Sequence, residues 1–389
     1  MKDKKLNILF LASWYPNDES TQAGNFIQQH AKAVSLYCNV SVVHTVPVKN
    51  QKEDRISKAW NNGVYEVIVY YQKTDTSLPF ISNYQKANRK QAAYKKGYSL
   101  ALNEIGSFDL THLNVVYPAG IFALYLNNKY KTPFVLSEHW TAFQAASRQS
   151  FNTWQKFLIK KIASKASFIC PVSEDLKKAM ISFGINHSYK VIPNVINTNV
   201  FKLNSSKIKT QSTKILHLSN LKDEQKNISG ILNVIKRLSE KRTDFVLTIA
   251  GNGPIEKYQK LAKELNISKE LLTFMGERNN HEVFELMHSH HFFLLFSNYE
   301  TFSIVIAEAW ACGLPVIATR CGGLTEAITE ENGIQVPVKN EAALTTAIHE
   351  MLDNIHHYDG EKISRSIDDQ YSYGSIGKQL NEIYKSILS

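Results

Sequence analysis

Glu300 and Glu308 stand eight residues apart in E-T-F-S-I-V-I-A-E, and the run continues as A-W-A-C-G-L-P-V-I-A-T-R-C-G-G-L-T-E to Glu326. Two carboxylates at this spacing suit a site where one sits in a loop before a helix and the other lies on that helix. Phe292 to Phe296 reads as an apolar strand leading in, and Ile304, Val305, Ile306 and Ala307 read as helix packed on a sheet. That turn puts the backbone N–H groups of Phe302, Ser303, Ile304 and Val305 at the positive end of a helix, ready for phosphate. Glu300 can then face a sugar hydroxyl while Glu308 accepts from another hydroxyl deeper in a crevice. A lone pair of glutamates so spaced is more often two exposed residues of an amphipathic helix. Here the pair is followed by Gly313, Pro315, an apolar strand from Val316 to Thr319, and Gly322-Gly323 opening a further helix that carries Glu326.

Other residues invite chemistry singly. Lys226 follows a strand and turn and precedes a helix, the place of a phosphate-binding cation or of an ordinary loop lysine. Gly24 lies between a first strand and an amphipathic helix, where a missing side chain lets a phosphate approach the backbone. No G-x-G-x-x-G follows that first strand, which argues against a dinucleotide oxidoreductase. His139, in S-E-H-W, falls at the carboxyl end of a strand, with Glu138 beside it. Gly251 and Gly253 in A-G-N-G-P make a tight strand-to-helix turn over which a nucleotide can lie, and Gly276-Glu277-Arg278 ends the next strand. His288, His290 and His291 precede a strand at its amino end without a carboxylate pair, so they read as structural and no metal site is expected.

These groups need a scaffold. The 389 residues suffice for two cores. Apolar strands alternate with longer amphipathic segments throughout, the pattern of parallel sheets with crossover helices. Strands are expected near Asn7 to Ala12, Val40 to Thr45, Val64 to Tyr71, Leu110 to Asn114, Pro133 to Ser137, Ser167 to Pro171 and Lys190 to Ile192. After a polar linker from Lys202 to Ser212, a second set is expected near Lys214 to Ser219, Phe245 to Ala250, Leu271 to Met275, Phe292 to Phe296, Pro315 to Ala318 and Gly333 to Val336. The fold class is α/β, with domains at 1–193 and 194–370 and a terminal helix at 371–389. Open parallel sheets bind ligands outside the carboxyl ends of their strands, so a cleft between two such sheets is the expected site.

The E-x7-E signature, the A-x-G-x-P-V-I-A-T run after it and the later G-G and Glu326 resemble the retaining nucleotide-sugar glycosyltransferases of family 4. P-N-V-I-N through Phe201 similarly resembles the family's linker motif, departing at two positions. The resemblance implies the GT-B architecture, two facing Rossmann-like doubly wound domains with the last helix crossing back to the first. It implies transfer of a hexose with retention from a UDP- or GDP-linked donor to a glycan or lipid-linked acceptor, with no further cofactor. By the same resemblance Lys226 matches a phosphate-holding lysine, while Asn220 stands where the family has arginine and Lys222 is the nearest stand-in. Gly24 matches a donor-contacting glycine, His139 a histidine at the donor sugar, and the Arg278 loop the region near the base. Catalysis would rest on Glu300, His139 and Lys226, and Ser303 replaces a common glycine.

The charge of +10 attracts acidic partners, which are nucleic acid, anionic lipid or phosphorylated substrates. The stretch Tyr70 to Tyr98 interleaves lysines and arginine with aromatics, and the reading chosen is an anionic membrane surface, not nucleic acid. Cys38, Cys170, Cys312 and Cys321 are scattered, as free thiols in a reducing compartment would be. Met1 to Lys5 and the short run after them do not read as a secretory signal. A cytoplasmic protein, peripheral on the inner membrane face, is expected. A sugar-nucleotide epimerase, a pyridoxal-phosphate glycan phosphorylase and a basic nucleic-acid-binding protein remain as competing readings.

Overall fold

A computed structural model describes residues 5–49, 53–73, 79–147, 151–203 and 210–389, with the backbone alone for 79–84. Residues 1–4, part of the Lys202 to Ser212 linker, and the side chains of Phe80 and Tyr84 therefore lie outside the described residues. The chain forms two compact units, Met1–Val195 with Tyr373–Ser389, and Ile196–Ser372.

The N-terminal unit holds β1 (Asn7–Ala12), β2 (Asn39–Val48), β3 (Arg55–Asn61), β4 (Val64–Gln72), β5 (Leu110–Asn114), β6 (Phe134–Glu138) and β7 (Ile169–Pro171). Their order in the sheet is β3-β4-β2-β1-β5-β6-β7, parallel except for β3, so the order reverses between β1 and β5. Every residue of β1 is buried, because helices cover both faces of a parallel sheet. Each fully buried valine, leucine or phenylalanine of such a strand contributes about 1.5–3 kcal/mol.

Two departures from the sequence reading occur here. Lys190 to Ile192 is not a ladder strand; it runs beside β7, with Lys190 N–H donating to Ile169 O and Ile192 N–H to Pro171 O. The antiparallel β3 escaped notice because R-I-S-K-A-W-N is mostly exposed and has no buried face to imprint a pattern.

The last helix, Tyr373–Leu388, packs on the helix Asn25–Ser35 of the N-terminal unit, as expected. A Cβ on Gly377 would lie 2.2 Å from the Ala33 carbonyl, so glycine is what permits this approach. Tyr37 Oη donates to Gly374 O at 3.0 Å, and Tyr384 Oη bonds His112 Nδ1 at 2.6 Å inside the core.

The C-terminal unit holds β8 (Thr213–Ser219), β9 (Phe245–Gly251), β10 (Leu272–Met275), β11 (Phe292–Leu295), β12 (Val316–Thr319) and β13 (Gly333–Val336). All are parallel in the order β10-β9-β8-β11-β12-β13, and the order reverses between β8 and β11. The two sheets make the chain an α/β protein of two doubly wound units. Gly322-Gly323 leads not into a full helix but into the single 3₁₀ turn Thr325–Ala327, which carries Glu326.

Candidate active site

At the reversal point of the C-terminal sheet, the loops after β8 and β11 are laced together. The β8 loop passes through Leu221 and Asn227, both at positive φ, and forms the four-residue helix Asp223–Lys226. Asn298, after β11, donates its N–H to Gln225 O at 2.7 Å and its side-chain amide to Glu224 O at 2.8 Å. This lacing brings the Lys226 ammonium onto Glu300 Oε1, which also accepts from Ser297 Oγ at 2.7 Å. The paired side chains are only 10% and 8% exposed. Such a pair persists in a low-dielectric interior because each charge answers the other. Gly322 closes over it: a Cβ there would stand 2.5 Å from Glu300 Cβ.

Two residues beyond Glu300, Phe302 is buried against Tyr371, and Ser303 sits at φ 69, ψ 62 as the cap of the helix Ile304–Ala311. A left-handed conformation costs a residue with a Cβ about 1–2 kcal/mol. No acceptor among the described residues takes the N–H groups of Phe302, Ser303 or Ile304. Three free donors thus cluster at a helix start beside a buried ammonium. Glu308, one turn into that helix, is half-buried with no hydrogen-bond partner among the described residues, and burial pushes its carboxyl up to about 8.

The β9 loop lies on the β8 loop. A Cβ on Gly251, at φ 147, would stand 1.7 Å from Ser219 O, and one on Gly253 would stand 2.7 Å from Leu221 Cβ. Both glycines are therefore required by close backbone approach. Asn220, exposed, accepts the Lys222 N–H at 3.3 Å. Arg278 does not join this constellation: it is exposed and paired with Glu282 at 3.1 Å on the surface. The three histidines near β11 hold structure, His290 bridging Leu286 O and Thr248 Oγ1, His288 reaching Lys202 O and His291 accepting from Lys214 N.

In the N-terminal unit, the loops after β1, β5 and β6 converge. Ser13 Oγ donates to Val115 O at 2.9 Å and accepts from Ala119 N–H at 3.1 Å. Glu138, fully buried at the end of β6, accepts the N–H groups of Val116, His139 and Trp140 at 2.9, 2.9 and 3.0 Å. Burial nevertheless lifts its carboxyl to about 7. It fixes the backbone at His139, whose ring packs 4.5 Å from Phe26 and 5.4 Å from His30. The ring nitrogens of His139 and His30 are sealed from solvent, with the Asn194 side chain and the Pro193 carbonyl as their polar neighbours at less than good hydrogen-bond geometry. Burial holds the His139 imidazole well below its usual range, hence neutral.

Gly24, at φ 64, begins the helix that carries Phe26 and His30. A Cβ there would fall 2.4 Å from the Trp14 carbonyl carbon and 2.5 Å from its oxygen, both backbone atoms that cannot swing away. Gly24→Ala is expected to lower stability by at least about 2 kcal/mol in urea unfolding, through clash and φ strain together. An unchanged midpoint would show that the loop yields.

Sequence reasoning singled out Lys226, Glu300, Gly24 and His139; it did not name Ser297 or His30, took Asn194 only as part of the linker motif, and named Glu138 only as the neighbour of His139. A carboxylate closing a buried strand was the one signal available for Glu138. The aromatic residues Tyr70, Tyr71 and Tyr94 of the supposed membrane stretch are buried, Tyr94 bonding Ala12 O, so a lipid surface would not meet them.

The family described as Glycosyltransferase Family 4 matches residues 38–200, and that described as Glycosyl transferases group 1 matches residues 212–354. A relative, the N-acetyl-alpha-D-glucosaminyl L-malate synthase of Bacillus anthracis, is 29% identical over 214 residues, 52% of this chain and 55% of that protein. The chain thus spans about half the length of that relative. Among solved structures, sucrose-phosphate synthase of Thermosynechococcus elongatus superposes with TM-score 0.79 at 18% identity, covering 98% of this chain and 99% of that one. Alr3699/HepE of Anabaena in complex with UDP-glucose gives TM-score 0.70 at 17% identity over 98% and 100% of the chains. With both units matched, the chain belongs to the family 4 glycosyltransferases of the GT-B fold.

Proposed function

We propose that this protein is a retaining, metal-independent glycosyltransferase that moves a hexose from a UDP- or GDP-linked donor to a glycan or lipid-linked acceptor. The observation that carries the reading is the buried Lys226–Glu300 pair set beside the three free N–H groups of Phe302, Ser303 and Ile304. As the sugar–phosphate bond breaks, negative charge grows on the diphosphate. Preorganised donors and a cation aimed there stabilise that charge without reorganising. Glu300, oriented by Ser297, supports the transferred sugar as it becomes oxocarbenium-like. Glu308 accepts from the ribose hydroxyls, and the Gly251 and Gly253 turn with Asn220 lets the nucleotide approach the backbone. His139 offers a ring nitrogen to a sugar hydroxyl. An oxygen of the leaving diphosphate takes the acceptor's proton.

On this reading the chain works in the cytoplasm, at the face of an anionic membrane that carries a lipid-linked acceptor. No helix among the described residues is long and apolar enough to cross one. The likeness to a structure holding UDP-glucose supports the nucleotide class. A thermal-shift screen over nucleoside diphosphates and their sugars tests it, since a ligand at 100 times its dissociation constant adds about 2.7 kcal/mol. A rise in Tm with UDP or GDP is expected, and a flat response to every nucleotide would remove the reading.

A further inference from the structure

We infer that a basic pocket confined to the N-terminal unit binds a phosphate group of the acceptor substrate. The inference rests on the transferase reading above and adds the chemistry of the second substrate. The cavity, of about 490 Å³, opens beyond the carboxyl ends of β2 and β4, where α/β sheets bind ligands. It is lined by Lys73, Lys86 and Lys90 together with Tyr71, Tyr117 and Trp154, and among the described residues by no aspartate or glutamate. Lys86 and Lys90 lie one turn apart on the helix Pro79–Ile105, and Lys73 follows β4, so two elements bring three ammonium groups to one concavity.

Elsewhere on the same helix two cations are answered. Lys96 pairs with Asp54 at 3.3 Å, and Arg89 donates to the Gln72 side chain at 2.9 Å. The three pocket lysines have no carboxylate partner among the described residues. Lys90 is half-buried, and burial pulls its pKa below the ordinary value, which is the mark of a cation lacking an anion. Like charges gathered this way repel in the empty pocket, and a phosphate monoester of charge about −1.5 to −2 relieves that repulsion.

The remaining wall suits the rest of such a molecule. Trp154 is 66% exposed at the rim and stacks on Phe157 at 5.7 Å, leaving indole surface for a sugar ring or a prenyl chain. Its helix, Thr153–Ala163, is fixed by a capping box between Asn152 and Gln155, both pocket residues. The aromatic wall is therefore anchored, not a swinging loop.

The test is a calorimetric titration of the full chain with inorganic pyrophosphate, in excess UDP and GDP so that the donor site is filled. One-site binding is expected in the wild type, weakened at least about tenfold in Lys73→Gln/Lys86→Gln/Lys90→Gln, as the loss of charge-assisted hydrogen bonds requires. Equal affinity in the two proteins, or no binding by the wild type, overturns the inference. Nucleotide thermal shifts, unchanged by the triple substitution, report separately on the donor reading: if they vanish in both proteins, that reading fails while the pyrophosphate titration still judges the pocket. Vesicles of phosphatidylcholine containing a polyprenyl diphosphate distinguish the source. Lysine-dependent sedimentation with them assigns a lipid-linked acceptor, and lysine-dependent pyrophosphate binding without sedimentation assigns a soluble one.

Discussion

Lys226→Met is expected to destabilise the C-terminal unit by about 3 kcal/mol or more and to cut transfer by at least about a hundredfold. Lys226→Met/Glu300→Leu is expected to recover most of the stability and none of the activity. The first effect follows from burial: with the ammonium gone, Glu300 is left without its cation in a place that is 8% exposed, where Ser297 Oγ donates to it. An uncompensated buried charge costs about 3–5 kcal/mol, whereas replacing both partners by apolar groups is close to neutral. The second effect follows from chemistry, because a lost donor to developing negative charge costs about 10²–10³ in kcat. Glu300→Gln belongs to the same argument, since it strands Lys226, so its loss of activity must be read beside its unfolding curve. Urea midpoints and kcat for the two single variants and the double variant supply the measurement. Additive stability changes would show that the ion pair does not couple the two loops.

Above pH 8, where the carboxylate has formed, Glu308→Gln is expected to raise the donor KM by about 10–100-fold, the range for a hydrogen bond to a charged group, with a smaller change in kcat. It also carries a pH signature whose sign is fixed. The folded carboxyl titrates near 8 against an ordinary 4.5, so between those values the folded chain holds more proton on this group than the unfolded chain. Stability from Glu308 is therefore complete below 4.5 and declines as pH rises through 8. The wild-type protein should lose Tm across that window relative to Glu308→Gln. Donor KM should fall over the same rise in pH in the wild type, as the carboxylate forms, and stay flat in the variant. Parallel Tm curves for the two proteins would refute the assignment of a protonated Glu308.

Much of this was legible in the chain because parallel strands buried on both faces write continuous apolar runs, as β1 and β11 do. The exposed hairpin strand β3 wrote none. Glu300 and Glu308 could be singled out by spacing, and Gly24 and His139 by position at strand ends. Their environments could not be read. Lys226 and Glu300 are 74 residues apart in sequence, and only the adjacency of β8 and β11 makes them one buried pair. Glu308 was foreseen as an acceptor of hydroxyls, yet its proton affinity depends on what surrounds it in space. The tyrosines of the Tyr70 to Tyr98 stretch follow the same logic in reverse: alternation with lysine suggested a surface, but β4 and a helix turn Tyr70, Tyr71 and Tyr94 inward and leave Lys73, Lys86, Lys95 and Lys96 outside.

The return of the helix Tyr373–Leu388 to the first unit has a consequence for biosynthesis. During translation the ribosome completes the whole of the second unit before it releases the sixteen-residue helix that packs on the first. Until then Ile376, Leu380, Ile383 and Tyr384 are missing from a core that already contains Val34 and Cys38. The nascent amino-terminal half must wait with an uncovered apolar flank while its younger neighbour folds, which reverses the usual order in which domains mature.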